Sequence, residues 1–280
     1  MKLGYESNTW GPICGDATGI TSIKDLFYRS EGDTLKSIRE VGECGYQGIE
    51  IFDGNVMDFA DDMATFKQAL TDAGVELAGV YTGGNFIYPE VLPEELHKVQ
   101  QSIDVAAAAG ATFLVVGGGA KRATGTTDED YTLLAKALDT IHDMAAEKGL
   151  VAVYHPHLTT ICETAEQIDT LLERSKIAFC PDTGHIAAAG SDAAAVVKKW
   201  IHRMPIVHLK DFQPEPFDFK PLGDGVMDMR AIVKELADAK FDGWVVIELD
   251  AHEDPKGAAA LNKTRIDALF EEFGLSYEGK

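Results

Sequence analysis

Between residues 43 and 156 the chain four times runs out of a helical stretch, through a glycine, into a short apolar segment. The copies are ECGYQGIEIF around Gly45, DAGVELAGVY around Gly74, AAGATFLVVG around Gly110 and EKGLVAVYHP around Gly149. A glycine just past the last helical turn takes the left-handed backbone that ends a helix without a Cβ clash. Upstream of the four glycines lie TLKSIREVGEC, MATFKQALTDA, HKVQQSIDVAAAA and TLLAKALDTIHDMAA, with apolar residues three and four apart. Each copy therefore reads as amphipathic helix, stop, buried strand.

Further short apolar segments occur at KLGYES, KIAFCPD, PIVHLKD and GWVVIELD, giving eight predicted strands alternating with helices. Strands that are apolar throughout belong in a parallel sheet covered on its faces. Eight such units in 280 residues match the usual size of a (β/α)8 TIM barrel of class α/β, expected as a single domain over residues 1–280. A doubly wound open sheet would carry a glycine-rich phosphate turn after an early strand, and neither G-x-G-x-x-G nor a Walker sequence is present. The longer loops, 8–31, 82–92, 117–128 and 211–226, fall on the C-terminal side of their strands, where a barrel builds its substrate walls.

The formal net charge of -21, from 25 Lys+Arg against 46 Asp+Glu, repels a phosphate backbone and anionic lipid, so neither nucleic acid nor membrane is an expected partner. A local basic pocket for a sugar phosphate is still compatible with that average. Cys14, Cys44, Cys162 and Cys180 are widely spaced, with no C-x-x-C pair, and read as reduced thiols. The start, MKLGYESNTWG, has no apolar signal region, and no apolar run is long enough to span a bilayer. A cytoplasmic protein is expected, with a homo-oligomer allowed.

Chemistry in a barrel gathers where strands end. Strand five ends in VYHPH, strand six in FCPDTGH, strand seven in VHLKD and strand eight in VIELD, supplying His155, Asp182, His208 and Glu248. The separations are 27, 26 and 40 residues (155 to 182, 182 to 208, 208 to 248), one βα unit per step with a longer last loop. Two imidazoles and two carboxylates suit Mn2+, Co2+, Fe2+ or Zn2+ better than Ca2+ and give no clean choice among them; Mn2+ is the ion expected. Singly, each residue has an ordinary explanation: Asp182 as a cap of the following turn, Glu248 as the partner of a lysine, either His as a satisfied polar group. Four at successive strand ends argue for one site.

The neighbours suggest the rest. His157 and His185 are placed to bond substrate hydroxyls or move protons, and Lys210 to neutralise developing negative charge. Glu50, ending strand two in GIEIF, is a candidate to receive a hydroxyl or proton. Trp10 and Tyr81 are candidate platforms for a sugar face, and Asp211 and Asp224 candidate substrate contacts in the loop after strand seven.

At these residues the chain resembles the metal-dependent sugar isomerase and epimerase superfamily with a xylose-isomerase-like barrel. Many members end strand five in a form like E-N-H-P-G and carry Asp, His and Glu on the next three strands. Here His155 occupies the Glu position and His157 the His. That change resembles the inosose dehydratase-like branch, as do DTGHI at 182–186, HLKD at 208–211, GDG at 223–225 and GWVVIE at 243–248. Thr159 stands where that branch has Gly. The resemblance implies a keto sugar or keto-cyclitol substrate, and epimerases of the superfamily use the glutamates of strands five and eight as paired acid and base.

With His155 in place of a carboxylate, the site is more positive by one charge, which sharpens a Lewis-acidic metal. The expected reaction is abstraction of a proton α to a ketone, stabilisation of the enediolate by the metal, and loss of a β-hydroxyl as water. Glu248 is the expected base, with His157, His185 or Lys210 aiding the leaving group. Isomerisation or epimerisation through the same enediolate is the alternative. An endonuclease of the same fold, disfavoured by the charge, and a metal-free sugar-binding protein stand further off.

Overall fold

The computed structural model describes residues 1–10, 13–14, 27–250 and 252–277. Eight strands form one parallel sheet: β1 Lys2–Glu6, β2 Gly48–Phe52, β3 Glu76–Gly84, β4 Phe113–Gly118, β5 Val151–Tyr154, β6 Ala178–Phe179, β7 Ile206–Leu209 and β8 Trp244–Ile247. Their order is β6-β5-β4-β3-β2-β1-β8-β7. The two ends of that series meet through a parallel bridge between Asp182 and His208, with the His208 amide donating to the Pro181 carbonyl at 2.9 Å. The predicted barrel is closed, and its seam lies at two of the predicted site residues.

The outer layer comprises α1 Thr34–Glu43, α2 Met63–Ala73, α3 Leu92–Ala109, α4 Asp128–Glu147, α5 Ala165–Leu172, α6 Ala193–Trp200, α7 Met229–Asp238 and α8 Pro255–Phe273. The predicted glycine exits take positive φ, for example 66° at Gly74 and 88° at Gly110, whose amides bond back into α2 and α3. The N-termini are as explicit. Thr127 and Thr164 form capping boxes with Asp130 and Gln167, satisfying backbone donors that a helix start leaves free.

Side chains alternate with period two along the strands, with one break in β3, where the ladder to β2 steps from Leu77 to Gly79. Leu3, Tyr5, Ile49, Ile51, Leu77, Val80, Val207, Leu209, Val245 and Ile247 pack in the layer between barrel and helices. Phe52, Ala78, Phe113, Val115, Val153, Cys180, Ile206, Trp244 and Val246 fill the interior. The same parity sends the next polar residue of each strand inward above that plug, as described below.

The segment expected as an open loop at 211–226 instead contains an antiparallel hairpin, Asp211–Pro214 with Phe217–Lys220. Strand six is shorter than KIAFCPD suggests, because Pro181 has no N–H to continue the ladder. Of the 8–31 loop, residues 11, 12 and 15–26 lie outside the described residues, as does the side chain of Cys14. Its exit is pinned to the barrel: the Tyr28 amide donates to Asp53 Oδ1 at 2.7 Å, and Asp53 Oδ2 receives Thr82, Ser102 and Lys98. Cys44, Cys162 and Cys180 are free thiols. Among the described residues, no helix is long and apolar enough to cross a membrane.

Candidate metal centre

Strand parity fixes the contributors. In β8, Trp244 and Val246 face inward, so Glu248 does; in β7, Ile206 leads to His208 and Lys210; in β5, Val153 leads to His155; in β6, Cys180 leads to Asp182. Ligand-competent atoms of His155, Asp182, His208 and Glu248 all lie within 4.8 Å of one another, and all four residues are buried.

The atoms facing one another are incompletely satisfied. Asp182 Oδ1 accepts the His185 amide at 2.8 Å, capping the short helix Thr183–Ala188, while Oδ2 is buried with no hydrogen bond. Neither ring nitrogen of His155 has one either. His155 Nε2 lies 3.5 Å from Asp182 Oδ2 and 3.6 Å from Glu248 Oε2, beyond a good hydrogen bond. Metal–ligand bonds of about 2.0–2.2 Å place neighbouring donors about 3–3.5 Å apart, so these gaps have the size a first-row divalent ion fills. Buried polar atoms without partners are otherwise costly. The mixed nitrogen and oxygen set fits such a metal.

The remaining predicted residues are distributed unevenly. Lys210 enters the centre, its Nζ 2.6 Å from Glu248 Oε1, 2.9 Å from Asp250 Oδ1 and 4.0 Å from the Phe219 ring centroid. His157 and His185 lie with ring centroids 3.8 Å apart, tilted by 43°, beside His155, and His185 Nε2 is 3.4 Å from Lys210 Nζ. Tyr81 meets His155 edge-on at 5.5 Å. Glu50 Oε2 lies 3.0 Å from His208 Nε2, so its contact is a histidine rather than open space.

Three predicted contacts are placed elsewhere. Trp10 packs edge-on against Tyr5 at 5.5 Å and bonds Glu40 of α1, because Tyr5 faces the helical layer and the turn after β1 carries the indole over it. Asp211 receives the amides of Phe212, Gly223, Gly225 and Met227, so both its oxygens organise the loop that follows the hairpin. Asp224 is surface-facing and pairs with Arg265 of α8 at 2.8 Å. Sequence reasoning missed Glu6 and Asp250. Glu6 ends β1 facing inward, 3.9 Å from His208 Nδ1, and asking how strand one ends would have found it.

The electrostatics are tightly linked. Burial alone would raise the Glu248 carboxyl, yet Lys210 and the two imidazoles hold it well below the usual carboxylate range. Burial, Glu248 and Glu50 together push Glu6 well above it. Against burial, Asp250, Glu248 and Asp182 hold the Lys210 ammonium well above the usual lysine range. His155 is raised, Asp182 and Glu248 outweighing burial. His208 is raised well above the imidazole range, again against burial, by Cys180, Glu50 and Glu248. Burial lowers His157, and burial with Lys210 lowers His185 strongly, leaving both rings neutral. A cavity of about 230 Å³ opens beside the centre rather than over it, bordered by Tyr28, Lys98, Thr159 and Thr160.

A closed eight-stranded barrel with this donor cluster at the C-terminal mouth defines a class, and the sequence agrees. Residues 38–268 match the family model of the xylose isomerase-like TIM barrel, and the chain belongs to that family. Among curated proteins it is similar to the inosose dehydratase of Geobacillus thermodenitrificans, 30% identical over 250 residues covering 78% of this chain and 82% of the relative. It is likewise similar to that of Clostridium botulinum, 29% identical over 258 residues covering 81% and 84%. Among solved structures, the IOLI protein with a binding zinc atom superposes with a TM-score of 0.76 at 16% identity, covering 98% of this chain and 99% of that one.

Proposed function

We propose that this protein is a divalent-metal-dependent dehydratase acting on a small keto-cyclitol or keto sugar, in the manner its inosose dehydratase relatives are named for. The observation that carries the reading is the pair of buried atoms without a hydrogen bond, His155 Nε2 and Asp182 Oδ2, 3.5 Å apart within a four-donor group. His155, Asp182, His208 and Glu248 would hold the ion, with Mn2+ proposed and Co2+, Fe2+ or Zn2+ chemically suited. When bound, such an ion polarises a carbonyl oxygen as a Lewis acid.

The chain's own groups divide the remaining work. Glu248, the expected base, has Oε1 held by Lys210 and its pKa well below normal, which makes it a weak base. His157 is better placed. Its Nδ1 lies 2.8 Å from the Leu158 carbonyl; a carbonyl only accepts, so Nδ1 carries the proton and Nε2 keeps a free lone pair. A neutral imidazole with that lone pair takes a proton α to a ketone, and the imidazolium so formed gives that proton to the departing hydroxyl, which leaves as water and returns the ring to neutral, with the adjacent neutral His185 left to hydrogen-bond the hydroxyl. Lys210, firmly protonated, stabilises negative charge on oxygen without giving its proton up.

Isomerisation or epimerisation is the second reading, favoured by the adjacent His157–His185 pair, ring centroids 3.8 Å apart, which can return the proton it removes. Proton NMR in D2O of metal-loaded protein with inososes, 3-keto sugars and ketoses separates the two. Deuterium uptake with an unsaturated product supports dehydration, and uptake with an inverted or rearranged sugar supports the second reading. No exchange with any of them rejects both.

A further inference from the structure

The geometry points to Glu50 as a positioning residue that decides which nitrogen of His208 is offered to the ion. The inference rests on reading the four-donor group as a metal site.

The His208 ring lies between two carboxylates. Nδ1 is 2.7 Å from Glu248 Oε2, which in turn lies 3.6 Å from His155 Nε2, and 3.9 Å from Glu6 Oε2; Nε2 is 3.0 Å from Glu50 Oε2. A neutral imidazole has one N–H and one lone pair, so binding metal through one nitrogen leaves the proton on the other. With Nε2–H donating to Glu50, the lone pair sits on Nδ1, facing the four-donor group. Ligating histidines are commonly fixed this way, by a carboxylate on the far nitrogen. A second set of donors, Glu6, Glu50 and His208, also converges here. An ion bridging Glu50 and Nε2 would strip that proton and leave Nδ1 to carry it, taking His208 out of the larger group. The two sets are therefore alternatives, and the larger one leaves fewer buried donors unmet.

The barrel makes room for this arrangement. Glu50 is completely buried and pairs across the ladder with Gly79 of β3 at an irregularity in register. A Cβ at Gly79 would stand 3.0 Å from Glu50 Oε2, 3.2 Å from Val115 Cγ2 and 3.3 Å from Glu50 Cδ, so any larger residue there presses on the carboxylate that faces His208.

Zn2+ is the probe. Its Kd is measured by chelator competition for wild type, Glu50→Ala, Glu50→Gln and Gly79→Ala, alongside 15N NMR of the histidine rings and the Tm of each metal-free protein. Glu50→Ala should weaken Zn2+ by about 10–100-fold. Glu50→Gln, which keeps an acceptor oxygen, should recover part of that loss, and Gly79→Ala should weaken binding without touching a donor. The Zn2+-loaded wild type should carry the His208 proton on Nε2. An unchanged Kd in Glu50→Ala, or a Zn2+-loaded His208 protonated on Nδ1, overturns the inference while leaving the metal reading intact. A wild type that binds no stoichiometric Zn2+ overturns both together. Lower metal-free Tm with an unchanged Kd would mark Glu50 as merely structural and also reject it.

Discussion

Asp182 and His208, 26 residues apart in sequence, form the parallel bridge that closes the barrel between β6 and β7. Two of the four donors of the proposed metal centre therefore lie at the seam of the barrel. An ion joining them ties the first and last members of the strand series.

Metal removal should register as lost stability. A ligand at 100 times its Kd stabilises by about 2.7 kcal/mol, and about 2–4 °C per kcal/mol is usual for chains approaching this size. Excess Zn2+ or Mn2+ should raise the metal-free Tm by about 5–10 °C, and a chelator should reverse it. A Tm indifferent to both would reject a specific site.

The pH dependence has a definite sign. His155 and His208 are both raised in the metal-free protein, and an ion needs them neutral. Metal affinity should fall as pH drops through the raised imidazole values, a fall that begins above the range of an ordinary histidine, as protons compete, with proton release detected calorimetrically in buffers of different ionisation enthalpy. In the metal-free protein, raised folded-state values stabilise below the unfolded imidazole value. That contribution should vanish as pH climbs through the folded one.

Lys210→Met should harm both fold and function. Its ammonium lies among Glu248, Asp250 and Asp182, and removing one partner of a buried charge cluster costs about 3–5 kcal/mol. Loss of charge stabilisation should lower kcat by about 100-fold or more. Urea unfolding and steady-state kinetics measure the two separately, and a variant of native stability would contradict the buried-pair account.

Thr159→Gly should stabilise. Thr159 has φ 69°, a left-handed backbone costing a β-branched residue about 1–2 kcal/mol, held in place by its amide bond to Glu163 Oε2 at 2.8 Å. Glycine removes that strain and gives back about 0.5–1 kcal/mol in unfolded-chain entropy. A net gain of up to about 1 kcal/mol is expected in urea, and a loss would show that the threonine side chain contributes contacts outweighing its strain.

Much of this protein was legible from local pattern. Glycine exits, three-four periodicity and short apolar runs depend on neighbours in the chain, so eight βα units could be read directly. Strand parity then carried His155, Asp182, His208, Lys210 and Glu248 to one mouth, because period two leaves a strand-end residue little choice of face. Trp10 and Asp224 misled because a residue beyond the strand has lost that constraint and turns wherever packing or an ion pair takes it. Asp211 misled for another reason: its carboxylate is consumed by four amides of its own loop, a fold of backbone that no spacing announces.

Local pattern in the chain specifies the barrel, its single-domain scale and which residues end its strands. What the inward side chains face comes from the closed barrel: Glu50 against His208, Lys210 bonded to Glu248, Glu6 brought from the chain's first strand to its seventh. The reason is that alternation and helix ends are properties of adjacent residues. Which nitrogen meets which oxygen is settled by strands far apart in sequence, meeting at a register set when the whole barrel closes.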